Sequence, residues 1–241
     1  MSFVGERRAL ASAVFAFYFL AYGMLVMLGM VPAEMTKAFA AIAGVYGLAF
    51  FALVAGYFWA RWYAVGVGLY GVITAAVGVW QVGAEPVLLF VGGTHLAATL
   101  LLWGEAMSQP YDGQAAWRER FHMDESAVQR LGRSVIRAGV SLPFILLYAL
   151  APKPDGASLL ASLVALTLTG LGLRALIRLR TWGVMALGAA GVLMLSLATA
   201  DAATAGLTTA VMKPALAGAL LIAATIPFLA PMLRWVRAAR A

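Results

Sequence analysis

Eight runs of about twenty mostly apolar residues follow one another along this chain, and a water-soluble globule has no way to bury them all. A helix needs about 20 such residues to cross the hydrocarbon core of a bilayer, which is about 30 Å thick. On that scale the spans fall at residues 9–31, 38–60, 63–82, 86–107, 134–151, 157–179, 182–199 and 214–236. Over its 241 residues the chain is 63% hydrophobic and 11% charged, where a soluble domain carries about 25% charged residues. Lipid is therefore the solvent for most of the surface.

Charge sets the orientation. With the N-terminus in the cytoplasm, fourteen arginines fall on the inner side and the three lysines, Lys37, Lys153 and Lys213, on the outer. That is a strong positive-inside bias. The fifth run is the weakest, since it carries Arg137 and Pro143. If it did not cross, everything after it would flip and the bias would fall to 10 against 7. The charge pattern thus predicts that it crosses, with Arg137 reaching back to the inner surface. Both termini are expected in the cytoplasm. Abundant Ala, Gly and Arg point to a high-GC bacterial genome, hence to the bacterial inner membrane.

The two halves of the chain resemble each other. At an offset of 120 residues Pro32 matches Pro152, Trp62 matches Trp182, Gly68 matches Gly188 and Gly71 matches Gly191. Four spans per half would make two parallel repeats, one of the known transporter plans. The expected organisation is an all-α integral membrane protein with a first four-helix half over residues 1–108 and a second over 134–241. A cytoplasmic amphipathic linker over 109–133 joins them. In that linker Val128, Leu131 and Val135 share one face and Arg130, Arg133 and Arg137 another, as in a segment lying on a membrane surface. Trp117 and Phe121 lie just upstream, and Asp124 is placed to cap the helix.

Few residues offer chemistry. His95 is the one ionisable group clearly inside a span, about 13 Å from its outer end at 1.5 Å per residue. Intramembrane ionisable groups are candidate functional sites, and Thr94 and Thr99 are placed to orient this one. The alternative role for His95 is a neutral hydrogen bond between helices. Glu105 near the inner end of the fourth span and Arg174 in the sixth form a candidate interhelical pair or inner gate. Met24, Met27 and Met30 recur every three residues, a spacing that offers soft thioether ligands or simply flexible packing. Small-residue stripes such as Gly66, Gly68 and Gly71 mark close helix contacts. Pro227 and Pro231 stand to free backbone carbonyls in the last span.

Other patterns are missing. There is no cysteine, no paired intramembrane carboxylate, and no metal-protease, phosphate-loop or hydrolase motif. No catalysis, metal or cofactor is expected. The expected partners are the lipid bilayer and a membrane protein or second copy of the chain, not nucleic acid. The function expected is a small-solute transporter or channel-like protein with a path between the two repeats. The alternative is a non-catalytic subunit, scaffold or assembly factor of a larger membrane complex.

Overall fold

The structure, a computed structural model, describes residues 3–107, 125–206 and 208–238. Among the described residues all regular structure is helical. The helices are α1 (Val4–Met27), α2 (Thr36–Ala55), α3 (Ala60–Val82), α4 (Pro86–Leu101), α5 (Glu125–Ala149), α6 (Gly156–Ile177), α7 (Trp182–Ala205) and α8 (Thr209–Ala238). Seven of these are long and apolar enough to cross a membrane. The exception is α4, whose 16 residues span about 24 Å. The architecture is that of a multi-pass helical membrane protein.

Local chemistry explains the boundaries. Pro86 opens α4 behind an extended Glu85, where its missing N–H costs nothing. Asp155 caps α6, its carboxylate accepting from the Ser158 amide at 2.7 Å and the Ser158 hydroxyl at 2.8 Å. Those bonds hold the Asp155 carboxyl below its ordinary range. Gly56 ends α2 at φ 73°, a left-handed turn that a side chain would strain.

Three boundaries differ from the sequence reading. The fourth span does not run as one helix to residue 107. It stops at Leu101, turns through Gly104 at φ 100°, and continues as a short 3-10 turn, Glu105–Met107. Helix α5 starts at Glu125 and takes in the amphipathic end of the expected linker, with Val128, Leu131 and Val135 all buried. Helix α8 starts at Thr209, so Pro214 lies inside it. The Val211 amide already bonds to the Thr208 carbonyl at 3.1 Å, so the helix is under way before the proline arrives. Trp117, Phe121, His122 and Asp124 lie outside the described residues.

The chain divides into two compact units, α1–α4 and α5–α8. In the first, each helix packs on the next and α4 returns to α1. In the second, each helix again packs on the next and α8 returns to α5. Both are up-and-down four-helix arrangements.

Two adjacent arginines tie the first unit together at one end. Arg7 donates from Nε to the Leu101 carbonyl at 3.0 Å and from Nη2 to the Trp103 carbonyl at 2.6 Å. Arg8 donates from Nε to the Leu53 carbonyl at 2.9 Å and from Nη2 to the Val54 carbonyl at 2.7 Å. The last carbonyls of a helix lack intrahelical donors and carry its negative end. The first turn of α1 therefore caps α4 and α2 together.

Candidate functional site

The first unit holds a polar cluster to which all four of its helices contribute. His95 on α4 is 1% exposed. Its Nδ1 lies 2.7 Å from the Val91 carbonyl one turn back, and its Nε2 lies 2.7 Å from the Tyr46 hydroxyl on α2. A carbonyl only accepts, so Nδ1 carries the proton and donates. In the neutral ring Nε2 is then the acceptor, and Tyr46 donates to it. The arrangement selects one tautomer of an uncharged imidazole.

Thr94 sits beside it in a parallel bond. Its hydroxyl reaches the Phe90 carbonyl at 2.8 Å and the Val91 carbonyl at 3.1 Å. That hydroxyl has one proton, which goes to the backbone. Tyr18 on α1, 2.7 Å away, must therefore donate to Thr94. Thr94 thus accepts from Tyr18 and shares the Val91 carbonyl with His95. Thr99 is buried, and its hydroxyl has no hydrogen-bond partner among the described residues.

Aromatic rings enclose the imidazole. The Tyr18 ring lies 4.2 Å from it, centroid to centroid, and the Tyr46 ring 5.6 Å. Tyr22 stacks on Tyr46 at 5.5 Å with an interplanar angle of 17°. Tyr70 of α3 is buried and close enough to Tyr22 and Tyr46 to interact with both phenols. These rings are what sequence reasoning missed. The signal was present: Tyr18, Tyr22, Tyr46 and Tyr70 lie well inside their spans, away from the interfaces where tyrosine is usual.

Two glycines on α3 make the room. A Cβ on Gly71 would collide with the His95 ring, and one on Gly68 would collide with the Thr99 hydroxyl. The small-residue stripe read from the sequence is therefore the cavity wall for these two polar side chains.

Glu105 is exposed on the turn after α4, off the helix, and belongs to the first unit. Arg174 is exposed on α6 in the second. Met24, Met27 and Met30 are all exposed, Met27 by 86%. Among the described residues no group of three or more His, Asp or Glu could hold a metal ion.

The second unit has its own polar contacts. Arg137 of α5 donates to the Ala223 carbonyl of α8, and Ser134 donates to the Ala224 carbonyl at 2.6 Å. Pro227 has no N–H, so the Ala223 carbonyl lacks its helical donor four residues on. Arg137 supplies one, instead of serving only to reach the surface. Near the end of α5, Tyr148 donates to Asp201 of α7 at 2.8 Å, and the Lys153 ammonium sits 3.0 Å above the Tyr148 ring.

These features define a helical membrane protein with a neutral His–Tyr–Thr cluster inside one four-helix unit. Comparison with protein-family models, curated proteins and solved structures finds no match to this chain.

Proposed function

We propose that this is a proton-linked small-solute transporter of the bacterial inner membrane, without catalysis of its own, in which His95 carries the proton. The observation that supports it is the cluster around His95. A neutral imidazole is inexpensive to hold inside a bilayer, whereas an imidazolium needs compensation. The Tyr18 ring lies 4.2 Å from the His95 ring, centroid to centroid, and aromatic rings attract a cation. Protonation at Nε2 would turn that atom from acceptor to donor. Tyr46 would then have to accept where it now donates, so a proton on His95 rearranges a bond between α2 and α4.

The chain in this reading crosses eight times with both termini inside, α4 being a short crossing. Its C-terminal end is held by Arg7 from the same first turn that holds the end of α2, which supports placing those ends on one side. The two units are read as parallel repeats. Supporting this, Gly68 and Gly71 receive Thr99 and His95 of the unit's last helix, while their counterparts Gly188 and Gly191 receive Thr225 and Ile222.

One observation favours the alternative, a non-catalytic subunit or scaffold. Both nitrogens of His95 find their partners within a single unit, as in a packing device. The test is uptake from a small-metabolite extract into proteoliposomes, read by mass spectrometry, with and without an inward proton gradient. The transporter reading expects at least one solute to accumulate only with the gradient, and His95→Gln to abolish this. No gradient-dependent solute, together with a stoichiometric membrane-protein partner after mild extraction, would establish the subunit reading instead.

A further inference from the structure

A cavity of about 180 Å³ opens in the second unit, and Arg130, Leu179, Arg180, Thr181, Val184 and Phe228 are among the residues that line it. It lies where α5 begins and α6 gives way to α7, with α8 closing one side. Most of its wall is apolar, yet two arginines and a threonine share it. The N-terminus of α7, a 24-residue helix, begins at Trp182 beside Thr181 and adds positive partial charge there.

The wall also contains a strained residue. Leu179 turns the chain at φ 58°, the one positive φ outside glycine among the described residues. The Arg180 amide bonds back to the Ala175 carbonyl at 2.9 Å and the Leu179 amide to the Leu176 carbonyl at 2.9 Å. This is the helix-ending motif that usually has glycine at the turning position. A leucine there places an isobutyl group in the cavity wall that glycine would lack.

We propose that this cavity binds an anionic phospholipid, its phosphate against Arg130 and Arg180 and the start of its acyl chains against Leu179, Val184 and Phe228. Charge complementarity selects the occupant. A free phosphate would leave the apolar wall facing nothing, and a zwitterionic lipid would set its own ammonium against the two guanidinium groups. An anionic amphiphile suits a mostly apolar wall that also includes two arginines, and a site at the ends of membrane-spanning helices is within reach of the headgroup layer. The inference is independent of transport, because its readout is lipid retention and not flux.

The test is native mass spectrometry of the full-length protein from mixed micelles of phosphatidylglycerol and phosphatidylcholine, with the shift in Tm on adding each lipid or glycerol 3-phosphate. Phosphatidylglycerol is expected to be retained and to raise Tm. Each arginine near a membrane surface adds roughly fivefold to anionic-lipid affinity. Arg130→Gln with Arg180→Gln should therefore weaken phosphatidylglycerol retention about twenty-five-fold while leaving phosphatidylcholine unchanged. Arg178→Gln, on an exposed neighbour outside the cavity lining, should weaken retention less than either cavity arginine. Val184→Phe keeps both charges but fills the apolar part, and should also lose the lipid; it decides the matter if the double variant does not fold. Equal retention of the two lipids, retention unaffected by the variants, or stabilisation by glycerol 3-phosphate as large as that by the lipid would each overturn the proposal.

Discussion

Tyr46 donates its hydroxyl proton to Nε2 of His95 across 2.7 Å, joining α2 to α4 at a point where both side chains are buried. The direction of that bond follows from the other nitrogen, which must donate to the Val91 carbonyl. Replacing Tyr46 by Phe keeps the ring and its stacking on Tyr22 but removes the donor. A buried acceptor left unpaired costs about 1–3 kcal/mol. Tyr46→Phe should lower stability by that amount in a reversible unfolding titration in mixed micelles. It should also lower any His95-dependent uptake.

Gly71 and His95 occupy one volume between α3 and α4. Gly71→Ala drives a methyl group into the imidazole and should cost about 1–3 kcal/mol by overpacking. His95→Ala vacates that volume, so the double variant should be more stable than the sum of the two single losses. A double-mutant cycle reads this coupling directly. Gly93→Ala, on the same α4 but with nothing within 4 Å of the added carbon, should be neutral or stabilising by about 0.5–1 kcal/mol.

Arg137 and Pro227 form a compensating pair across the second unit. Arg137→Leu leaves the Ala223 carbonyl without a donor and should cost about 1–3 kcal/mol. Pro227→Ala restores a backbone N–H four residues on, so it should rescue part of that loss. The unfolding free energies of the two single variants and the double variant check this. Strict additivity would contradict the pairing.

Lys153 lies outside the spans, and burial lowers its pKa from the usual 10.5 to about 8, against the pull of Asp201 in the other direction. The folded state therefore binds fewer protons than the unfolded state between those values. Stability should rise as pH increases from about 8 towards 10 and level off above the unfolded value. The side chain is only partly buried, so screening by water limits the gain to about 1 kcal/mol. Unfolding midpoints measured across that pH range should show the rise, and Lys153→Met should flatten it.

Seven spanning helices and the start of α4 were legible because apolar length and the placing of Pro86 are local properties. Pro86 opens α4 and an apolar run fills it. The end of α4 was not legible, since Gly104 could be read as helix interior until its φ of 100° was known. In the site, His95 stood out by its charge class and the glycines by their spacing. Which side chain each glycine admits depends on the packing of α3 against α4, which no local pattern carries. The tyrosines were passed over because a count of hydrophobic residues includes them, yet their hydroxyls need partners once buried. Arg137 finds its carbonyl 86 residues away, and only the closure of α8 on α5 brings the two together.

The central claim is that His95 rests as the neutral, Nδ1-protonated tautomer and can take a second proton within the folded membrane protein. The most direct measurement is solid-state 15N NMR of the imidazole in lipid bilayers, with the other histidine, His122, replaced by glutamine. The account expects a protonated Nδ1 and an unprotonated, hydrogen-bonded Nε2 at neutral pH. On acidification a doubly protonated ring should appear, with a midpoint that moves in Tyr46→Phe. An Nε2-protonated ring at neutral pH, or a ring that stays neutral at every pH at which the protein remains folded, would contradict it.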